Sequence, residues 1–488
     1  MTTKSDVGAL EASGLIRLAA MEPELEYLFR HVLVQDAAYA SLLKQERREL
    51  HRRVADVLLQ VYPDRRGELA GVIAMHLAEA GEPVRAAPFF VEAGDHALAR
   101  FANREARAFF DRAYDALPAD AADAETSRLR LRAGVGSVRA GWHSTHRPDV
   151  MARLAELTPL AEALGDPRLA TEVHFWSVFL RRFSGESPES SEELRRSVER
   201  LEQLGAEHGD PVAQAMPQAL MGAGMVFGGH IRAGTEVLER MLPAIEASGD
   251  ALTTALLNDV LTIAHARLGE FDAAERTAER ADRLAEKGDP IARLDARLAR
   301  AVIASERGEL GDTVRLAGEC AATAEELGAT GCAIPSQYLL GDGRLRLGDA
   351  LAAKARFERT LQLAASDPAA ESAFTTLASA GLAAAVARLG EPGTPEGWEA
   401  SLETARRLGD RFGEATILLR RATSLGGDDP AAAIASLESA VRIFEELETR
   451  PALSRALRAY AGALSRAGRD EEARAARARA DALADELG

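Results

Sequence analysis

Residues 268–290 read LGEFDAAERTAERADRLAEKGDP and hold one helix-length segment between two turns. The first turn is centred on Gly269, and the second is formed by Gly288, Asp289 and Pro290. In the second turn, glycine suits the left-handed conformation that ends one helix, and the aspartate side chain suits the cap of the next helix. Proline then fits the first helical position, where its missing N–H group costs nothing. The stretch therefore predicts two helices joined tightly at Gly288.

Both kinds of turn return along the chain at intervals near forty residues. The turns of the second kind are Gly165-Asp166-Pro167, Gly209-Asp210-Pro211, Gly249-Asp250, Gly288-Asp289-Pro290, Gly328, Asp367-Pro368 and Gly409-Asp410. The glycines of its first five members are 44, 40, 39 and 40 residues apart. The glycines of the first kind lie midway between them: Gly141, Gly185, Gly229, Gly269, Gly308, Gly348, Gly390, Gly426 and Gly468. Two interleaved series with helix-length segments between them predict repeated antiparallel helix pairs, about nine to eleven hairpins from residue 66 onward.

The helical segments resemble tetratricopeptide repeats in the placing of small and aromatic residues. One match consists of Gly94, Ala106, Phe110, Ala113 and Pro118. The pattern returns at Leu340, Gly341, Gly348, Ala353 and Phe357, and at Gly269, Phe271, Ala274 and Ala281. Small residues are needed where two helix backbones approach closely. The family repeat usually has 34 residues, so helices longer than average are expected. The resemblance implies an all-α, right-handed tetratricopeptide-like α-solenoid.

Residues 1–62 do not share the period. Two β-prone runs, Gly14–Leu18 and Leu25–Arg30, predict a hairpin or wing. Helices are predicted near Val32–Leu43 and Glu46–Val61. The predicted domains are a winged-helix-like remnant with its linking helices, 1–62, and the repeat solenoid, 63–488.

Three strings in this region carry a second resemblance: Tyr27–His31, Gln35–Tyr39 and Arg48–Ala55. Together they resemble the segment that joins the nucleotide-binding core to the repeat arm in large bacterial signalling NTPases with nucleotide cyclase or LuxR-type output domains. The resemblance covers residues 8 to about 115. The chain has no G-x-x-x-x-G-K-[ST] sequence to hold a triphosphate. The resemblance therefore implies a sensory or regulatory arm alone, as a free-standing protein, a truncated one or a fragment.

Composition narrows the classes of partner. The net charge of −17 argues against binding of nucleic-acid phosphates by the whole chain. Met1–Leu10 has no apolar core of the kind a signal peptide needs, and no run reaches the length of a membrane span. Cys320 and Cys332 form no metal or redox spacing. These features favour a cytoplasmic protein that does not bind membranes.

Several short motifs suggest chemistry but are better explained by structure. A metal site at His143 and His146 would lack a third and fourth ligand. Gly222, Gly224 and Gly228 suggest a dinucleotide fingerprint, but without the preceding strand close helix packing explains them better. Gly134–Ser137 lies within a helix and is not a nucleophile elbow. No acid–base pair, metal or cofactor site is predicted, and the chain is not expected to be an enzyme.

The first helix of each hairpin lines the concave surface in tetratricopeptide proteins, so the resemblance implies a groove for a protein or peptide partner. Phe175, Phe179 and Phe183 share one helix face and are predicted to be core. Other side chains are predicted to line the groove: Trp176, Arg181, Arg182, Asp259, Asp295, Tyr338, Asp342 and Arg346.

The leading hypothesis is a non-catalytic interaction scaffold that regulates a signalling NTPase or a transcription regulator. A second is a DNA-associated regulator that uses the N-terminal wing and the basic run Lys44, Arg47, Arg48, His51, Arg52 and Arg53, although a solvated helix face is the default interpretation of that run. A third is an all-helical α/α toroid enzyme, which is disfavoured because no convergent carboxylates or metal ligands are present.

Overall fold

The computed structural model of the chain describes residues 4–20, 26–121, 123–143, 147–183, 191–209, 211–247, 251–286, 290–365, 373–391, 396–424 and 429–487. Across these residues the chain forms helices and a single two-stranded sheet. None of the described helices is long and apolar enough to cross a membrane.

The elements follow one another as α1 (Lys4–Ala12), β1 (Ile16–Ala20), β2 (Glu26–Phe29), α2 (Val32–Ser41), α3 (Lys44–Val61), α4 (Arg66–Glu79), α5 (Pro83–Ala99), α6 (Asn103–Ala116), α7 (Ala124–Gly141), α8 (Arg147–Leu164), α9 (Pro167–Phe183), α10 (Glu192–His208), α11 (Pro211–Phe227), α12 (Ile231–Glu246), α13 (Ala251–Leu268), α14 (Phe271–Ala285), α15 (Pro290–Arg307), α16 (Leu310–Glu326), α17 (Thr330–Arg346), α18 (Ala350–Ala365), α19 (Ala373–Arg388), α20 (Glu396–Arg407), α21 (Arg411–Ser424), α22 (Pro430–Glu446), α23 (Arg450–Arg466) and α24 (Asp470–Leu487). A short 3₁₀ turn, Pro63–Arg65, precedes α4. From α5 onward the described helices follow one another as ten pairs, each with an odd-numbered first helix and an even-numbered second helix, a number within the predicted nine to eleven hairpins.

The chain divides into two compact units, unit 1 (Met1–Gly136) and unit 2 (Ser137–Gly488). The domain boundary predicted after residue 62 stays a prediction. At the N-terminus the expected strand pair and both following helices are present, with Ile16 opposite Phe29 in an antiparallel register. The helix Lys4–Ala12 was not predicted, and the winged-helix assignment stays a prediction.

The turn chemistry expected from the sequence is confirmed where the structure describes it. Gly165 has a φ of 59°, in the left-handed region. The carboxylate of Asp166 accepts a hydrogen bond from the Leu169 amide at 3.3 Å, so it caps α9, which begins at Pro167. Helices α11 and α15 also begin at the proline of this turn.

Phenylalanine side chains lie between glycines of successive first helices. A Cβ atom built on Gly341 of α17 would lie 2.8 Å from the ring of Phe357 on α18, and one on Gly381 of α19 would lie 2.5 Å from it. In unit 1, Phe110 occupies the same place between Gly94 and Gly136. The predicted role of small residues is therefore confirmed at these two joints, where they make room for a buried ring that packs one hairpin against the next.

The first helices of unit 2 surround a common axis. Consecutive helices from α13 to α23 contact one another, and α23 also contacts α13 and α15. Similar long-range contacts recur at nearly constant separation in sequence. The Gly331 amide donates to the His143 carbonyl (3.2 Å), Gly229 lies against Arg411, and Arg450 Nε donates to the Leu268 carbonyl (2.9 Å). Separations of 182 to 188 residues, at forty residues per hairpin, mean that unit 2 is a tight superhelix whose turns touch after four to five hairpins.

Candidate functional site

The inner face of unit 2 carries a charged cluster that we call the inner network. Its members come from four first helices: Ser305 and Glu306 of α15, Tyr338, Asp342 and Arg346 of α17, Arg420 of α21, and Arg455 of α23. The cluster exists because the tight superhelix brings these helices together around one axis.

Arg420 is the buried centre of the network. Its guanidinium donates to the Tyr338 hydroxyl (2.9 Å), to the Leu377 carbonyl (2.9 Å) and to the Asp342 carboxylate. Burial acts to raise the pKa of Asp342, but the positive charges of Arg420 and Arg346 outweigh it and hold the pKa below the usual range. Burial raises the pKa of Tyr338 to about 12, so this hydroxyl is protonated at neutral pH. The arrangement is a buried ion pair with its hydrogen bonds satisfied, which is costly to break.

Two further arginines converge on the C-terminal end of α15. Arg346 Nη1 donates to the carbonyl (3.0 Å) and the hydroxyl (2.9 Å) of Ser305 and lies 3.7 Å from Asp342. Arg455 Nη2 donates to the Glu306 carboxylate at 2.7 Å. Burial and the neighbouring charge of Arg455 lower the pKa of Arg346, although an arginine stays protonated at any physiological pH.

A second polar cluster lies between α13, α15 and α17. Asp259 is 5% exposed, and neither of its carboxylate oxygens has a hydrogen-bond partner among the described residues. Burial and the nearby carboxylates of Asp295 and Asp282 raise the pKa of Asp259 well above its usual range. The Cys332 thiol donates to Asp295 at 3.2 Å, and burial together with that carboxylate raises its pKa. The cluster therefore favours protonated, neutral groups.

The predicted groove residues of α9 lie apart from these clusters. Trp176 is 6% exposed and packs against Trp142 and Phe179, with ring centroids 6.3 and 5.5 Å away. Arg181 is partly buried, 3.9 Å from Glu193. The side chain of Arg182 lies outside the described residues.

The structure thus brings together Tyr338, Asp342 and Arg346, and separately Asp259 and Asp295, while Trp176 and Arg181 are elsewhere. With about 9 Å between neighbouring helix axes, four to five helices around an axis place their own axes roughly 6–8 Å from it. A helix with its side chains has a radius of about 5–6 Å, so the space inside suits side chains and small ions. A peptide along this face would require the turns to separate, and the predicted peptide groove stays a prediction.

Of the other motifs singled out in the sequence, His143 and the glycines around Gly222 lie in packed surroundings. Burial lowers the pKa of His143 to about 4, and its carbonyl joins two turns of the superhelix. His146 lies outside the described residues. Across the described part of the chain no group of three or more His, Cys, Asp or Glu side chains is placed to hold a metal ion. A Cβ on Gly222 would lie 3.2 Å from the Gly234 carbonyl oxygen, as the predicted close packing requires.

A feature of unit 1 that was not predicted is an apolar stripe on α3. Leu50, Val54, Val57 and Val61 are 46, 40, 52 and 57% exposed. Their spacings of four, three and four residues place them on one face of the helix, while Ala55 on another face is buried. The spacing alone is enough to identify this α3 stripe in the sequence, although basic residues stand between its members.

Exposed apolar side chains continue into the elements before α3. Leu28 and Phe29 of β2, Val32 and Leu33 of α2, and Leu43 before α3 are all exposed, with Leu33 at 76%. Helix α24 differs: its apolar residues Ala473, Ala476 and Ala480 are buried, and its outer face is charged. The α3 stripe, in contrast, is apolar and exposed.

The basic run on α3 is mostly occupied by partners within unit 1. Arg52 pairs with Glu49 (2.7 Å) and with Glu82, and Arg53 pairs with Glu49 (3.2 Å). Arg47 stacks over the Tyr39 ring, 5.1 Å from its centroid. These contacts are typical of a solvated helix face, in which Arg52 and Arg53 are paired with carboxylates.

Comparison with known proteins gives few relatives in sequence. No protein-family model matches the chain. The uncharacterized protein R02095 of Rhizobium meliloti (strain 1021) is 38% identical over 93 residues, which are 18% of this chain and 9% of that protein. The chain therefore matches only a small part of this relative's length.

Solved structures of helical repeat proteins resemble the chain at low identity. A Rap protein complexed with competence and sporulation factor has a TM-score of 0.45 and 12% identity, over 83% of this chain and 99% of that one. The APC/C hetero-tetramer Cut9–Hcn1 has a TM-score of 0.45 and 12% identity, over 93% and 89%. A signal transduction ATPase with a tetratricopeptide repeat sensor, from Pyrococcus horikoshii, has a TM-score of 0.34 and 14% identity, over 97% and 60%. The helix pairing within the two units shows the fold itself: an all-α array of tetratricopeptide-like hairpins.

Proposed function

We propose that the protein is a non-catalytic protein–protein interaction scaffold in the cytoplasm, acting as a regulatory or sensory arm in bacterial signal transduction or transcription control. The observation that carries the proposal is the α3 stripe. Exposed apolar residues that follow a helix at regular spacing mark an interaction surface on a protein that is otherwise strongly acidic.

The spacing also defines the partner. Leu50, Val54, Val57 and Val61 repeat every 3.7 residues on average, close to the roughly 3.6 residues of one helical turn, so they form one continuous stripe along which another helix can pack. The occupant of the α3 stripe is therefore an amphipathic helix of a signalling partner, such as an NTPase or a transcription regulator, with apolar residues at three- and four-residue spacing.

The apolar area sets a scale for the affinity. Covering the exposed halves of four such side chains contributes roughly 3–6 kcal/mol. A micromolar complex needs about 8 kcal/mol. The neighbouring exposed residues of α2 and β2, such as Leu33 and Phe29, must then contribute to a partner held at that affinity.

The test compares partner capture by three forms of the full chain in its native cells: the natural protein, the double variant Val54→Glu with Val57→Glu, and the control Leu351→Glu. Leu351 is 68% exposed on α18 of unit 2. The proposal expects one protein to be lost from the α3 variant and retained by the control, with helical circular dichroism unchanged in all three.

Two results would overturn the proposal. One is identical capture by all three forms. The other is a dimer of the natural chain that the α3 variant converts to a monomer, because a second copy would then occupy the stripe. The DNA hypothesis predicts that the natural chain shifts the mobility of a DNA duplex in a salt-sensitive way. The α3 variant, whose arginines are intact, would then still shift it.

A further inference from the structure

The inner network holds more positive than negative charge. Arg346, Arg420 and Arg455 face two carboxylates, those of Asp342 and Glu306. Arginine does not lose its proton, so the surplus cannot be removed by titration. A partly buried cation without a counter-charge is unfavourable, and the imbalance is notable in a chain whose net charge is −17.

The surplus positive charge of the inner network lies on Arg346 and Arg455. Arg346 Nη1 is bonded to Ser305, whereas its Nε and Nη2 groups have no hydrogen-bond partner among the described residues. Arg455 donates from Nη1 and Nη2 to Glu306, and its Nε also has no hydrogen-bond partner among the described residues. The two side chains are 22% and 31% exposed, so a small solute reaches their free donors.

The geometry brings these donors to one place. Ser305 and Glu306 are consecutive at the end of α15, and each holds one of the two guanidinium groups. The planar fork of a guanidinium matches the oxygen spacing of carboxylate and phosphate groups. The narrow space around the axis of unit 2 admits a small ion more readily than a chain segment.

We propose that the inner face of unit 2 binds a small oxyanion, a phosphate or a carboxylate, between the guanidinium groups of Arg346 and Arg455. The anion neutralises the surplus charge and links α17 to α23, two first helices that are three hairpins apart around the axis. Occupancy of this site strengthens the contact across the axis between these two helices.

The experiment measures thermal unfolding of the full chain in phosphate, sulfate, acetate or chloride at one ionic strength, with calorimetric titration of inorganic phosphate and acetate. Phosphate or acetate raises the unfolding temperature above its value in chloride. The anion that does so shows whether the site binds a phosphate or a carboxylate. Arg346→Gln weakens that binding about ten- to a hundredfold, the loss of one or two charged hydrogen bonds.

The control is Arg344→Gln, on the same helix, where the arginine pairs with Asp349 at 3.6 Å instead; it binds the anion as the natural chain does. Arg346→Lys keeps the charge but not the fork, and serves if the glutamine variant does not fold; it weakens binding as well. Equal unfolding temperatures in all four anions, or an anion effect that persists in both Arg346 variants, would overturn the proposal.

Discussion

Phenylalanine rings held between glycines explain how closely neighbouring hairpins pack. Phe357 fills the space left by two missing side chains, on Gly341 of its own hairpin and Gly381 of the next. Tight packing of this kind is sensitive to one added methyl group, because a buried ring backed by helices cannot move aside freely.

Substitution of Gly381 by alanine tests this packing. A Cβ there would lie 2.5 Å from the Phe357 ring, so we expect a loss of about 1–3 kcal/mol in the free energy of unfolding. Gly318→Ala is the matched control, since its Cβ would have no neighbour nearer than 3.9 Å in mid-helix, and it should stabilise by up to about 1 kcal/mol. Urea unfolding of both variants measures the difference; equal effects would refute the close contact.

The buried carboxyl of Asp259 makes stability depend on pH. Its pKa is raised in the folded state, so the folded chain binds a proton that the unfolded chain releases above about pH 4. Stability is therefore lost as the pH rises from about 4 through the folded pKa. Asp259→Asn should unfold at a higher temperature than the natural chain at pH 7 and at nearly the same temperature near pH 4. Asp272→Asn, at an exposed position of α14, should not show this dependence.

Helices α2, α3 and α4 are joined by a chain of aromatic and imidazole groups. The Tyr39 hydroxyl lies 3.0 Å from His51 Nε2, and His51 Nδ1 lies 2.8 Å from His76 Nδ1. One of the two Nδ1 atoms must accept, so the bond requires at least one neutral ring. The element that presents the α3 stripe is thus fixed to α4 partly by a group that titrates.

Acidification should loosen α3 from α4. Burial and the charge of His51 lower the pKa of His76 below 6.5, so stability is present above pH 6.5 and is lost as the pH falls through the folded pKa. Hydrogen exchange in residues 44–79, corrected for its intrinsic pH dependence, should be faster at pH 5 than at pH 7. His76→Gln should abolish that difference, whereas His96→Gln, at an exposed position of α5, should retain it. Protection independent of pH in the natural chain would contradict the role of this bond.

Helix boundaries were predictable because their signals are local. The left-handed Gly165, the cap at Asp166 and the proline after it act within three residues, and they lie where the sequence predicted. The inner network was not predictable in the same way. Asp342 was predicted to line a groove, and its partner Arg420 lies 78 residues away in the chain. That contact depends on the rotation accumulated over several hairpins, which no local pattern records.

At the scale of unit 2, contacts between turns close the superhelix. Arg450 reaches the Leu268 carbonyl, and Arg232 lies between Glu270 (2.6 Å) and Glu448 (3.1 Å). The second helices α10 to α22 have other contacts besides these bonds, since each packs against its own and the next first helix. The seam between turns is therefore a place where unit 2 can open without unfolding its hairpins.

Removing one seam contact should free the seam alone. Arg450→Ala should speed hydrogen exchange around residues 268–270 about tenfold, as expected for the loss of one hydrogen bond to a charged group. Exchange within α17 and α18 should not change. The control is Arg458→Ala, on the same helix as Arg450, which removes an exposed ion pair with Asp481 of α24. It should leave exchange around residues 268–270 unchanged. Faster exchange throughout unit 2 would mean that the turns and hairpins unfold together.

The central functional claim is that a partner helix covers the α3 stripe, and photo-crosslinking in native cells tests it most directly. A p-benzoylphenylalanine residue is placed at position 57 in one form of the chain and at position 351, which is more exposed but on unit 2, in another. We predict a covalent adduct from position 57 alone, mapping by mass spectrometry to a helical segment with apolar residues at three- and four-residue spacing. No adduct from position 57, or the same adduct from both positions, would contradict the claim.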